Sequence, residues 1–178
     1  MKVVAVSKSA SHHFSKELYD SISLIEGMGV EGDCHFGKTV QHRSRVAVDP
    51  TQPNLRQVHL IHSELLEELE SVGHTVSSGE LGENVLTRGI DLLDLPKGTR
   101  VKLGEHAVVE ITGLRNPCQQ VEDFQGGLLS KVAFKDNNGN IIRKTGVMGI
   151  VLVSGSIRPE DKIEVELPPL PHLALEKV

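Results

Sequence analysis

The feature that most constrains this chain is the spacing of its β-branched runs. Short stretches rich in Val and Ile recur at about residues 2–7, 44–48, 56–61, 83–87, 99–103, 107–113, 140–144, 146–153 and 162–167, punctuated by turn residues. Lys97-Gly98 and Gly104-Glu105 bracket one such run and open the next. Asn138-Gly139 is a hairpin signal, because a two-residue type I′ turn needs positive φ at both positions. Many short strands with regular turns predict a mainly β protein, a barrel or a sandwich rather than a layered parallel sheet.

Helix is confined to a few short pieces. Ser63 is placed to cap a helix whose buried stripe is Leu65, Leu66, Leu69 and Val72, with Gly73 ending it. Asn116-Pro117 reads as N-cap and first helical residue, since Pro lacks the N–H that would be orphaned there. Cys118 then falls in the first turn of a helix running to about Phe124, and a further helical stretch is expected near Leu128–Phe134. No repeat or linker divides the chain, so residues 1–167 read as one domain. Residues 168–178 form a Pro-rich tail, ordered only if it docks on the body.

Composition removes several function classes. The net charge of −5 gives no basic field for a polyanion, and one Tyr, four Phe and no Trp leave few stacking platforms, so no nucleic-acid partner is expected. No apolar run approaches the length that spans a bilayer, and no signal peptide is recognisable, so no membrane partner is expected either. Two cysteines are too few for a disulfide framework and imply free thiols in a reducing, cytoplasmic setting.

The candidate chemistry centres on Cys118. A thiol in the first turn of a helix faces free N–H groups, and Arg115 adds a cation, so thiolate is favoured there. The alternative is a small buried apolar residue. Cys34, in a loop between Asp33 and His35, lacks a helix start. The run Lys38, His42, Arg43, Arg45, with Arg56 beyond, reads either as a solvated loop or as an anion site. Two Gly-rich segments, Gly29–Lys38 and Gly79–Asn84, match neither a P-loop nor a dinucleotide fingerprint. Glu83 and Asn84 in the second either meet a ligand or pin the loop. Nine histidines include no Cys-x-x-Cys or His-Glu-x-x-His pattern, and a dedicated histidine zinc site is not expected.

Taken in order, Gly29-Val30-Glu31-Gly32-Asp33-x-His35, Arg56-Gln57-Val58, Gly82-Glu83-Asn84 followed by Gly89, Gly98, Gly104 and Arg115-Asn116-Pro117-Cys118 resemble the MOSC domain, named after the C-terminal domain of molybdenum cofactor sulfurase. The resemblance spans about residues 3–167. It implies a closed β-barrel with a few short peripheral helices, and a molybdenum cofactor or related small anion held in a pocket. Within that pocket it implies Cys118 as the sulfur-bearing or molybdenum-contacting residue and His35 as a proton donor. Arg56 and Arg115 become anion contacts, and Gly32, Asp33, Glu83 and Asn84 line or orient the pocket. The implied activity is sulfur transfer or reduction of N-hydroxylated compounds, with a non-catalytic persulfide carrier or ligand-binding module as the alternative. No pyridoxal-phosphate site is evident, so any sulfur on Cys118 would come from another protein such as a cysteine desulfurase, and a reductase would need a redox partner.

Overall fold

The strand Ala107–Leu114 shows how this sequence builds its layers: Ala107, Val109, Ile111 and Gly113 are buried and the residues between them are half-exposed. The computed structural model describes residues 1–178. In chain order, β1 (Lys2–Lys8), β2 (Glu17–Tyr19), β3 (Ile22–Ile25) and β4 (Gly29–Val30) precede the one-turn α1 (Arg43–Val46). Next come β5 (Val58–His62), α2 (Ser63–Ser71), β6 (Val85–Arg88), β7 (Arg100–Leu103) and β8 (Ala107–Leu114). The chain continues through α3 (Gln119–Phe124), α4 (Leu128–Val132), β9 (Ala133–Lys135), β10 (Ile141–Arg143), β11 (Val147–Val153), β12 (Gly155–Ile157) and β13 (Ile163–Glu166). No helix is long and apolar enough to cross a membrane.

The main sheet has the order β13-β7-β8-β11-β5-β6-β1-β2. All its pairs are antiparallel except β5–β6. The expected closed barrel does not form: no ladder joins the two edges of this sheet, and neither smaller sheet, β12-β3-β4 or β10-β9, closes. The reason lies in β1. Its residues Val6–Lys8 pair with β2, which occupies the edge that a closing strand would need. Only the start of β1 reaches toward β13, through one isolated bridge between Lys2 and Lys162. The fold is mainly β with four short helices and open sheets.

Two apolar layers lie on opposite faces of the main sheet. Val58, Leu60, Val109, Ile111, Val147 and Val151 meet Ile22, Leu24, Val30 and Ile157 of the three-stranded sheet. On the other face Ile61 and Leu86 pack on Leu65 and Leu69 of α2, Val121 of α3, and Leu128 and Val132 of α4. The parallel pair β5–β6 is thus covered on both sides, as parallel strands require. The tail also docks: Leu175 packs against the first layer, and Leu114 exchanges backbone hydrogen bonds with Glu176 and Val178.

Local expectations were met unevenly. Residues 44–48 do not form a strand; the Arg-rich stretch makes α1, none of it buried. A half-buried strand needs an apolar face, and this segment offers only exposed valines. Ser63 is the first helical residue of α2, and His62 stands at the cap without a side-chain bond. Asn138-Gly139 lies within a five-residue loop, 136–140, whose Asp136 carboxylate takes the Asn138 and Asn140 amides. Only Gly139 there has positive φ, so a side-chain bond does the work assigned to a type I′ turn. Strands β2, β3, β4, β9 and β12, each two to four residues long, are not among the runs the sequence marks.

Gly146 matters most among the glycines. Its φ is +80°, a Cβ there would collide with the Leu60 carbonyl oxygen, and its own carbonyl takes the Arg115 amide at 3.0 Å. Gly139 has φ +85° but open space around it. Urea denaturation should therefore separate them. Gly139→Ala should cost about 1–2 kcal/mol for the left-handed backbone, and Gly146→Ala clearly more, since backbone must move to relieve the collision.

Candidate functional site

The registers line up Val6 near the end of β1, Val85 at the start of β6, Leu60 of β5, Val147 at the start of β11 and Leu114 at the end of β8 across the main sheet. The loops leaving them enclose a cavity of about 550 Å³. Four arginines line it, Arg43, Arg45, Arg56 and Arg115, with Lys16 and five histidines, His12, His13, His35, His42 and His59. Asn84 and Cys118 complete its polar wall, and no carboxylate is among the lining residues. A chain of net charge −5 thus concentrates positive charge in one place.

Behind the wall sits Asp33, its side chain fully buried. Its Oδ2 accepts from Lys16 Nζ at 2.7 Å, Asn84 Nδ2 at 3.0 Å and the Ser9 amide at 3.2 Å. Its Oδ1 takes the His35 amide at 3.0 Å and lies 3.2 Å from His35 Nδ1. Burial alone would push this carboxyl up; the His35 bond and the Lys16 ammonium overcome it and hold Asp33 well below the usual carboxylate range. The carboxylate in turn fixes the His35 proton on Nδ1, so Nε2 is the nitrogen left for a ligand. Asn54 anchors the same loop, donating from Nδ2 to the carbonyls of His35 at 2.8 Å and Gly37 at 3.0 Å and accepting the Arg56 amide at 3.1 Å.

Asn84 is a knot between strands. Its Nδ2 also donates to the Ser7 carbonyl at 3.1 Å, and its Oδ1 accepts the His59 amide at 3.2 Å. Glu83 does not reach the cavity: its Oε1 takes the Gly79 amide at 2.5 Å and pins the 79–83 turn, and burial pushes its carboxyl up. Gly32 is a turn residue with φ +79°, also outside the lining. Arg88 is remote as well, pairing with Glu67 at 2.7 Å on the surface.

The cations are crowded and incompletely paired. Burial, then Arg45 and Arg115, lower the Arg56 guanidinium to about 10, and Arg56 donates to the Val178 backbone oxygen. Arg115 is lowered too, by burial, with Cys118 and Glu83 pulling the other way. Its guanidinium lies over the Phe14 ring, 5.7 Å from the centroid, and its Nη1 is buried without a partner. The His42 ring meets the His35 ring at a tilt of 43°, with centroids 4.6 Å apart. Burial and the surrounding positive groups bring His42 down to about 3. His59, on β5, falls to about 3 by burial and the charge of Arg115, and its Nε2 donates to the Thr145 carbonyl at 2.7 Å.

Cys118 is exposed at the cavity rim. It stands at the N-cap of α3 and not inside the first turn, with extended backbone (φ −128°, ψ 179°) and no side-chain cap bond. Pro117 lies one residue before that cap, so Asn116 is not the cap residue either. Its Sγ is 3.5 Å from Gln120 Oε1. Cys34 is half-buried, and burial and the Asp33 charge push its thiol up to about 11.

Comparison with known proteins bears on this geometry. A model of the MOSC domain matches residues 31–164, three quarters of the chain and every strand from β5 through β12. The chain belongs to the MOSC domain family. No curated protein sequence matches it. Its fold is similar to that of YuaD from Bacillus subtilis, at TM-score 0.75 and 23% identity over 94% of this chain and 96% of that one. It is also similar to YiiM from Geobacillus stearothermophilus, at TM-score 0.63 and 17% identity over 97% of this chain and 77% of that one. YiiM from Escherichia coli gives TM-score 0.59 and 17% identity, covering 97% and 73% respectively.

Of the residues singled out in this MOSC chain, His35, Arg56, Asn84, Arg115 and Cys118 share the cavity, while Gly32, Asp33 and Glu83 stand behind it. From the basic run, His42, Arg43 and Arg45 line the cavity and Lys38 does not. Sequence reasoning missed Lys16, Asn54, His12 and His59. Lys16 and His59 are polar residues beside apolar runs, a weak signal; nothing in the sequence pairs Lys16 with Asp33.

Two outcomes follow for the MOSC site. Iodoacetamide near neutral pH should label Cys118 before Cys34, because Cys118 is exposed and the Cys34 thiol is half-buried and held protonated; mass spectrometry of tryptic peptides reads the order. Asp33→Asn should cost about 3–5 kcal/mol, since it leaves Lys16 buried without its counter-charge. The acid limb has a definite sign. Asp33 is depressed, so its contribution is present above about pH 4, the unfolded value, and is lost as pH falls toward the folded one. His59 must stay neutral, so the unfolded chain binds its proton first, and stability falls by up to about 1.4 kcal/mol per unit between about pH 6.5 and 3. Denaturation at pH 7, 5 and 4 should show that fall, with the slope reduced in His59→Gln.

Proposed function

We propose that this MOSC protein binds the molybdenum cofactor, or a compact anion of the same chemistry, with Cys118 as its soft ligand, and acts in sulfur transfer or in the reduction of N-hydroxylated compounds. The observation that carries this reading is a cavity rimmed by an exposed thiol and walled by arginines without a compensating carboxylate. The buried, unpartnered Nη1 of Arg115 supports it, because a buried donor without an acceptor is costly until an anion supplies one. A thiolate, guanidinium groups and imidazoles are the donor set that an anionic cofactor with a soft metal calls for.

In this reading Arg56 and Arg115 hold the anionic part, and Arg's planar fork suits bidentate contact with oxyanions. Cys118 contacts the metal or carries the sulfur. When bound, the cofactor supplies the redox or sulfur-exchange chemistry. His35, its Nδ1–H held by Asp33, offers Nε2 to move a proton at the bound ligand. His59 and Asn84 keep the floor of the cavity rigid. We assign the protein to the cytoplasm on its two free thiols, with a cysteine desulfurase or a redox protein as its partner. Exposure of Cys118 also supports the second reading, a persulfide carrier without turnover, since a carrier thiol must be reachable by donor and acceptor proteins.

Protein from a molybdate-fed, cofactor-competent host separates the two. Molybdenum together with pterin supports the first reading, and extra sulfur on Cys118 without metal supports the second; neither would defeat both. Cys118→Ser should lose the loaded species while keeping the fold. Arg56→Ala and Arg115→Ala should each weaken anion binding by roughly tenfold or more at low salt, the scale of one hydrogen bond to a charged group. The loss should shrink at high salt, where screening has already weakened the wild-type attraction.

A further inference from the structure

One wall of the cavity carries donors that the reading above leaves largely unused. The loop after β4 presents Cys34 and His35 in succession, and the loop after β1 presents His12 beside them. Cys34 Sγ lies 3.3 Å from His35 Nδ1 and 3.9 Å from Asp33 Oδ1. The His12 ring meets the His35 ring edge-on, with centroids 5.5 Å apart. One ligating atom from each of His12, Cys34 and His35 lies within 4.8 Å of the others. Two loops far apart in sequence thus bring one thiol and two imidazoles to a single point.

We propose that His12, Cys34 and His35 form a binding site for a thiophilic divalent cation of the zinc class. One sulfur and two imidazole nitrogens are a borderline-soft donor set, which selects zinc or cobalt over magnesium and calcium. Metal–ligand bonds of about 2.0–2.3 Å place neighbouring donors of a tetrahedral site about 3.3–3.7 Å apart. The Cys34–His35 pair already has that separation. His12 is exposed on its loop and closes a remaining gap of at most about 1.5 Å. The frame around these ligands is stiff: the Cys34 amide donates to the Ser9 carbonyl at 2.7 Å, tying the two loops together. Ligation through His35 Nδ1 replaces its 3.2 Å contact with Asp33 Oδ1, which keeps the His35 amide at 3.0 Å.

Three protein ligands leave a fourth position open. Because His12 and His35 line the cavity, that position faces the space where an anion would sit. Loading releases the Cys34 thiol proton to solvent and places the His35 proton on whichever ring nitrogen does not ligate; no electrons move. The site is separate from Cys118, which comes from the opposite loop after β8. A protein loaded at this site cannot use His35 for proton transfer, so metal occupancy and that role of His35 exclude one another.

The test uses the full chain, reduced and stripped of metal, titrated with cobalt(II) and then with zinc(II). The expected result is a thiolate-to-cobalt charge-transfer band that one equivalent of zinc removes. Cys34→Ser should abolish the band and Cys118→Ser should leave it. His12→Gln, an exposed change that circular dichroism can confirm as folded, should weaken cobalt binding by about tenfold or more, a loss that even outer-shell partners can produce. No band at millimolar cobalt overturns the proposal. So does a band lost in Cys118→Ser and kept in Cys34→Ser, or unchanged affinity in folded His12→Gln.

Discussion

The carboxylate of Asp33 lies out of reach of water and takes hydrogen bonds from Lys16, Asn84, the Ser9 and His35 amides and the His35 ring. The donors come from three different parts of the chain. Ser9 and Lys16 belong to the loop after β1, His35 to the loop after β4, and Asn84 to the entry of β6. A buried charge is tolerated only when it is paired and fully hydrogen-bonded. Satisfying this one therefore holds three loops in register and sets the wall from which His35, Asn84 and Lys16 face the cavity. The loop positions follow from electrostatics as much as from the strands that carry them.

The strands supply the rigid margin on which this network stands. Because β5 and β6 are covered on both faces, they cannot tilt without disturbing one apolar layer or the other. His59 on β5 and Asn84 at the start of β6 inherit that rigidity. Gly146 extends it to Arg115, whose amide is bound by the Gly146 carbonyl. The absence of barrel closure does not loosen the site, because neither edge strand, β2 nor β13, carries a lining residue.

Charge is distributed with similar asymmetry. The surface holds its arginines and lysines in exposed pairs such as Arg88–Glu67 and Lys2–Glu160, which contribute little to stability. The cavity holds Arg56 and Arg115 without carboxylate side chains as partners, and burial first, with the neighbouring positive charges adding to it, depresses Arg56, His42 and His59. Arg43 and Arg45, on the exposed α1, also line the cavity and add to this field, although their segment alone favours neither reading.

The sequence by itself determined the mainly β class, the long strands β8 and β11, the helix after Pro117, and the candidacy of Cys118, Arg115, Arg56 and His35. Each of these is a local signal: alternation over seven or eight residues, a proline at a helix start, or a short ordered motif. What only the tertiary structure decided was non-local. It decided for the supporting role of Asp33 and Glu83 behind the cavity, moved Cys118 from the first helical turn to the cap, and left the sheet open where β2 claims the edge of β1. It also paired Lys16 with Asp33 and gathered His12, His42 and His59 into one wall. Those outcomes depend on which loops meet and which buried charge needs a partner, and pairing between distant residues leaves no periodicity in the chain for a local reading to find.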